Sequence, residues 1–106
     1  GFGKHIVQHL GNAAEIIPTI EGTFDFVFID ADKEQYSRYF DLIVDRLRSG
    51  RLIIADNVLW SGKVVESATD EATESLQIFN EKVAKDSRVE TVILAVRDGL
   101  TLLRKI

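Results

Sequence analysis

Residues 24–36 read FDFVFIDADKEQY and contain the strongest indication of the fold. It opens with FDFVFI, a nearly uninterrupted apolar run that is typical of an interior strand in a parallel sheet. The run ends abruptly in Asp30, and Asp32 and Lys33 follow almost at once. A buried strand that ends in a cluster of charge indicates a functional site at that end of the strand.

A second stretch, at residues 51–62, repeats the pattern. It reads RLIIADNVLWSG, and its apolar strand (51–55) runs into Asp56 and Asn57. If one crossover helix joins the two strands, they are neighbours about 4.8 Å apart, and their carboxyl ends meet where open α/β sheets bind ligands. Oxygen ligands from Asp30, Asp56 and Asn57 would suit a hard cation such as Mg²⁺, Ca²⁺ or Mn²⁺. The alternative for an Asp after a strand is a helix cap.

The rest of the chain predicts the elements around these strands. Apolar residues recur at helical spacing over 33–48, at Tyr36, Tyr39, Phe40, Ile43, Val44 and Leu47. Asp32 with Gln35 resembles a capping box, and Ser49-Gly50 resembles a helix stop. A short strand is predicted at 5–10, a short helix at 13–20, a polar loop at 61–71, a helix at 70–85, and two strands within 89–106 joined at Asp98-Gly99. This order predicts an α/β fold with parallel strands, crossover helices and a terminal antiparallel hairpin.

The amino-acid composition excludes some classes of function and disfavours others. The 106 residues are enough for one domain, 45% are hydrophobic, and the net charge is −4, which disfavours general binding to nucleic acid or to a membrane surface. There is no cysteine, so disulfides, thiolate metal sites and cysteine nucleophiles are excluded. We find neither a membrane-spanning run nor a signal peptide, and we expect a cytoplasmic protein.

The two strand-end motifs also carry a resemblance. FDFVFIDADKEQY followed by GRLIIADNVLWSGKV, and the ending RVETVILAVRDGLTLLRKI, closely resemble the cation-dependent O-methyltransferases of the caffeoyl-CoA and catechol type, including bacterial relatives. The likeness covers essentially the whole chain. It implies the C-terminal portion of a Rossmann-like methyltransferase domain over 1–106. It also implies that the glycine-rich S-adenosylmethionine loop, the acid that holds the ribose, and the strand that pairs with 24–29 lie upstream of Gly1, which would leave 24–29 as an open apolar edge.

The resemblance implies roles for individual residues. The metal ligands would be Asp30, Asp56 and Asn57; the general base Lys33; the cofactor contacts Ala13, Asn12 and Asp30; and the acceptor contacts Asp30, Trp60 and Ser61. Asn12 stands where relatives commonly carry Asp. From the residues alone, Lys33 is expected to be an exposed first-turn lysine, and Tyr36 and Tyr39 are expected to belong to the core. Trp60 could form a wall for the acceptor ring, but a lone tryptophan after a strand is as often core packing.

The implied activity is methyl transfer from S-adenosylmethionine to a hydroxyl of a catechol-like or other vicinal-diol small molecule, with Mg²⁺ as the favoured cation. A hydroxylated tRNA base is an alternative acceptor, which the acidic charge disfavours. A receiver-like signalling module and a non-catalytic fragment that folds only by association remain as rivals from other classes. We expect a homo-oligomer and no membrane partner.

Overall fold

The computed structural model describes residues 2–56, 58 and 70–106. The strands are β1 (Phe24–Ile29), β2 (Leu47–Asp56), β3 (Val89–Leu94) and β4 (Leu100–Lys105), and the α-helices are α1 (Ala13–Ile16), α2 (Tyr36–Ile43) and α3 (Glu71–Lys85). Short 3-10 helices lie at Phe2–His5, Ile17–Thr19, Lys33–Gln35 and Val44–Arg46. In the described part of the chain, no helix is both long enough and apolar enough to cross a bilayer.

The four strands form one sheet in the order β1-β2-β4-β3. β1 and β2 are parallel, with Ile29 opposite Ala55, whereas β4 is antiparallel to both β2 and β3. The α/β prediction with a parallel pair and a terminal antiparallel hairpin is therefore confirmed. The hairpin connection covers residues 95–99, and Gly99 has a φ of 88°, a left-handed conformation that favours glycine.

The core lies on one face of this sheet. Helices α2 and α3 pack there, and Tyr36, Phe40, Leu76 and Phe79 are fully buried against strand residues such as Leu103. Burial of each large apolar side chain contributes about 1.5–3 kcal/mol, so this layer supplies most of the apolar stabilisation.

Strand β1 lies at one edge of the described sheet. The edge position implied by the resemblance is confirmed, and the prediction of an interior strand is wrong for this sheet. Phe26 and Phe28 point away from the helices and are 57% and 53% exposed. The apolar run is typical of a strand covered on both faces, but the described residues cover only one face of β1.

Two predictions of secondary structure are wrong. The strand predicted at 5–10 does not form: residues 6–10 are irregular, and Leu10 is 87% exposed, because no described strand pairs with them. The helix predicted over 33–48 ends earlier, since Leu47 already pairs with Phe24 as the first residue of β2. The side chain of Lys105 donates to the carbonyls of Val44 and Leu47 at this helix end. Ser49-Gly50, predicted as a stop, therefore lies inside β2.

The predicted start of one helix is confirmed, and the predicted cap of another is wrong. Asp70 accepts a hydrogen bond from the backbone N–H of Thr73 at 2.8 Å, so the predicted start of α3 is confirmed. Asp32 occupies the N-cap position of the 3-10 helix before α2, but its side chain makes no capping hydrogen bond. The predicted capping box with Gln35 is therefore wrong.

Candidate functional site

The polar residues after β1 and β2 lie at the same edge of the sheet. Ile29 and Ala55 are opposite each other in the last pair of the parallel ladder, so Asp30 and Asp56 follow at adjacent strand ends. Asp56 is also opposite Leu100, which places the β3–β4 connection beside them. The sequence-based prediction that Asp30 and Asp56 come together is thus supported by the strand register.

Lys33 lies beneath these strand ends. It is only 8% exposed, and its ammonium lies 3.6 Å from Asp30 Oδ1 and 4.7 Å from the centre of the Tyr36 ring. Its Nζ donates a hydrogen bond of 2.6 Å to the Tyr36 hydroxyl. The interpretation of Lys33 as an exposed first-turn lysine is therefore wrong.

Tyr36 connects the strand ends. Its ring is fully buried, and its hydroxyl donates a hydrogen bond of 2.9 Å to the backbone carbonyl of Asp56. The carbonyl of Ile29, at 3.4 Å, is a second and more distant acceptor. The ring also meets Phe79 edge-on, with 5.5 Å between centroids and an interplanar angle of 80°. The helical pattern predicted only that Tyr36 lies in the core and did not predict the contacts of its hydroxyl. The available sequence indication was its position three residues after Lys33 in the DADK-x-x-Y motif.

The Tyr36 hydroxyl lies in a buried and negatively charged environment. Burial raises the pKa of the Tyr36 hydroxyl well above its usual range, and the negative charges of Asp30 and Asp56 raise it further. A backbone hydrogen bond at Ala31 opposes this shift only in part. The hydroxyl therefore stays protonated at neutral pH and donates a hydrogen bond to the Asp56 carbonyl.

A cavity of about 200 Å³ lies beside the end of β1. It is lined by Ala13 and Ile17 on one side, by Asp30 and Ala31 after β1, and by Tyr39 of α2. Two of the three predicted cofactor contacts, Ala13 and Asp30, thus line a common space. The third does not: Asn12 caps α1, and its Oδ1 accepts from the Ala14 N–H at 2.9 Å.

A second cleft, of about 350 Å³, is lined by Asp56 together with Phe28, Val96, Arg97 and Leu100. Arg97 has a φ of 53°, which is uncommon for a residue with a side chain. The sequence contained no indication that Arg97 belongs to this edge of the sheet.

The predicted metal site is described only in part. Asn57, Trp60 and Ser61 lie outside the described residues. Over residues 2–56, 58 and 70–106 there is no group of three or more His, Cys, Asp or Glu side chains that could hold a metal. The predicted set has only two acidic members, however, and Asp30 and Asp56 stand at adjacent strand ends. Carboxylate oxygens so placed fit the donor preference of a hard cation.

The fold places this chain in a class of proteins, the methyltransferases with a Rossmann-like fold. The sheet matches solved methyltransferase structures with a Rossmann-like fold: an O-methyltransferase from Bacillus cereus in complex with SAH (TM-score 0.80, 30% identity, 89% of this chain and 46% of that chain) and the O-methyltransferase TomG from Streptomyces achromogenes in complex with SAM (TM-score 0.82, 30% identity, 93% and 49%).

The chain belongs to the O-methyltransferase family, whose sequence model matches residues 1–106. It is similar to tricin synthase 2 from Oryza sativa subsp. japonica, with 41% identity over 93 residues that cover 81% of this chain and 32% of that protein. It is also similar to caffeoyl-CoA O-methyltransferase from Petroselinum crispum, with 40% identity over 92 residues that cover 80% and 38%. The chain thus spans less than half the length of these relatives. The interpretation as a receiver-like signalling module is wrong.

Proposed function

We propose that this protein is an O-methyltransferase that depends on S-adenosylmethionine and a divalent cation and methylates a hydroxyl of a catechol-like or other vicinal-diol small molecule. The observation that carries the proposal is the convergence of Asp30, Asp56 and Lys33 at one edge of the parallel strand pair. Relatives named as O-methyltransferases support the reaction class.

S-adenosylmethionine is the proposed methyl donor. The cavity beside β1 supports this, since Ala13 and Asp30 line it together. Two similar solved proteins are described as bound to SAM or SAH. We assign Ala13 to the adenine end of the cofactor and Asp30 to the end that faces the acceptor. Asn12 supports this site by capping α1, which starts at Ala13.

Asp30 and Asp56, joined by Asn57 from the resemblance, would hold the cation, with Mg²⁺ favoured and Ca²⁺ or Mn²⁺ compatible with the same oxygen set. When bound, a dication lowers the pKa of a coordinated hydroxyl and holds the two oxygens of a diol. Trp60 and Ser61 are the proposed contacts to the acceptor ring.

Lys33 is the proposed general base. A free phenol has a pKa near 10, so little of it is ionised at neutral pH. In the proposed step, the acceptor hydroxyl gives its proton to the neutral form of the Lys33 amine, and the hydroxyl oxygen forms a bond to the methyl carbon. The carbon–sulfur bond of the sulfonium breaks, and its electron pair stays on sulfur as a neutral thioether. The largely buried side chain of Lys33 brings Nζ within 3.6 Å of Asp30, a proposed cation ligand, and this proximity to the proposed acceptor site supports the role.

Asp56→Ala in the intact protein tests the proposal. Transfer of labelled methyl from S-adenosylmethionine to a panel of catechols and to caffeoyl-CoA is measured with Mg²⁺ and with EDTA. We expect the wild type to lose activity with EDTA and the variant to be inactive in both conditions, because a cation held mainly by oxygen charge loses one of its ligands. Asp41→Ala is the matched control, since Asp41 is an exposed carboxylate whose partner is Lys82. Activity of Asp56→Ala that persists in EDTA would contradict the cation assignment.

Association through β1 is a second proposal. The edge position of β1 and the exposure of Phe26 and Phe28 favour pairing with a strand of another copy. Methylation of a hydroxylated tRNA base has no support from the described residues. A cytoplasmic location is proposed from the cysteine-free sequence.

A further inference from the structure

We propose that Tyr36 is a positioning residue, whose hydroxyl holds the Lys33 amine against the ends of β1 and β2. This inference rests on the proposed function, because it assigns Tyr36 a role in the methyl transfer that Lys33 would serve. It goes beyond packing, which a phenylalanine at position 36 could provide.

The hydrogen-bond geometry assigns each contact of the hydroxyl. A tyrosine hydroxyl donates one hydrogen and accepts through its lone pairs. Lys33 Nζ donates to it at 2.6 Å, and the hydroxyl donates to the Asp56 carbonyl at 2.9 Å. The Ile29 carbonyl, at 3.4 Å, is the weaker acceptor. One oxygen atom therefore links the Lys33 side chain to the backbone of a proposed metal ligand.

The Tyr36 ring supports the position of this hydroxyl. It is fully buried and packs edge-on against Phe79, so the oxygen cannot move away without disturbing the core. A lysine side chain is flexible and carries about 2 kcal/mol of rotamer entropy. The short hydrogen bond and the cation–π contact of 4.7 Å both favour one Lys33 rotamer. That rotamer places Nζ beside Asp30.

Burial of a hydroxyl costs free energy unless the hydroxyl is hydrogen-bonded. A tyrosine at position 36 therefore needs hydrogen-bond partners, whereas a phenylalanine would not. These partners are the backbone carbonyls of Asp56 and Ile29 and the side chain of Lys33, the proposed general base. The residue that fills the core beneath the site thus also determines where the amine stands.

Tyr36→Phe in the intact protein is the direct test, measured as kcat and KM for the acceptor and as a thermal melt. A general base contributes about 10²–10⁴-fold, and we expect loss of its positioning to lower kcat about 10- to 100-fold, with KM changed by less than about threefold. Thr73→Val is the matched control. It also removes a buried hydroxyl, but the Thr73 hydroxyl, unlike that of Tyr36, has no hydrogen-bond partner among the described residues. Its kcat should stay within about twofold of wild type.

A double-mutant cycle separates positioning from a general structural effect. In a Lys33→Ala background, Tyr36→Phe should lower kcat by less than about twofold further. An equal loss in both backgrounds, or wild-type kcat in Tyr36→Phe alone, would overturn the positioning role. An inactive wild type would instead contradict the proposed function.

A measurement independent of activity covers the case in which Tyr36→Phe does not fold. The chain has two tyrosines, and labelling with 3-fluorotyrosine reports on each by ¹⁹F NMR, with assignment by Tyr39→Phe. Lys33→Met removes the amine but keeps an apolar stem. We expect the Tyr36 resonance to shift and the Tyr39 resonance to stay. An unchanged Tyr36 resonance would show that the amine does not contact this hydroxyl in solution.

Discussion

Replacement of Lys33 by alanine should reduce turnover far more than it reduces stability. The charge-assisted hydrogen bond from Lys33 Nζ to the buried Tyr36 hydroxyl is worth about 1.5–3 kcal/mol. Its ion pair with Asp30 is 3.6 Å long and involves a carboxylate with 48% side-chain exposure, so it contributes at most about 1 kcal/mol. Relief of lysine rotamer entropy offsets part of the loss. A net cost of about 1–3 kcal/mol leaves a typical domain folded.

The expected loss of activity is much larger. If Lys33 takes the acceptor proton, its removal should lower kcat about 10²–10⁴-fold with a small change in KM, because its contribution appears only as the proton leaves. Methyl transfer from labelled S-adenosylmethionine at neutral pH gives both constants, and urea denaturation gives the free energy of unfolding. Lys85→Ala is the control, since Lys85 is an exposed lysine of α3 that pairs with Glu81. A Lys33→Ala variant with wild-type kcat, or with only a raised KM, would refute the assignment of Lys33 as base.

Two further predictions concern stability and association. The hydrogen bond from Arg88 holds the pKa of Asp86 below its ordinary value of about 3.9. A lowered folded-state pKa stabilises the protein above pH 3.9 and loses this effect as pH falls further, so Asp86→Asn should be less stable than wild type at pH 7 and should converge with it near pH 2 in urea denaturation. Residues 1–106 alone should sediment as an associated species, bind S-adenosylmethionine weakly in calorimetry and be inactive, and Phe26→Lys should shift them toward monomer. A stable monomer with tight cofactor binding would contradict the account of β1.

Several features follow from local sequence. The apolar runs of β1 and β2, the Asp70 cap of α3 and the Asp98-Gly99 turn are each encoded within a few neighbouring residues, and each was predicted close to its position. The placement of Asp30 and Asp56 at one edge follows from the same information, because parallel strands joined by a helix must align their carboxyl ends.

The wrong boundaries have a common cause. The helical stripe extends to Leu47 because Leu47 is buried, but a strand residue on the core side is buried equally well. Only pairing with Phe24 makes it part of β2. Likewise, the alternation over 5–10 describes a strand that has no partner among the described residues.

The order of the elements from α1 onward, the polar strand ends and the identity of the candidate site residues could therefore be predicted from the sequence. The burial of Lys33 and the hydrogen bonds through which Tyr36 joins it to the backbone of Asp56 depend instead on how the elements pack together. The physical reason is that periodicity reports which side of a helix is covered, whereas a hydrogen bond depends on which atoms meet across the chain. The Tyr36 hydroxyl and the Asp56 carbonyl are 20 residues apart in sequence, and they come within 2.9 Å only because α2 packs beneath the ends of β1 and β2.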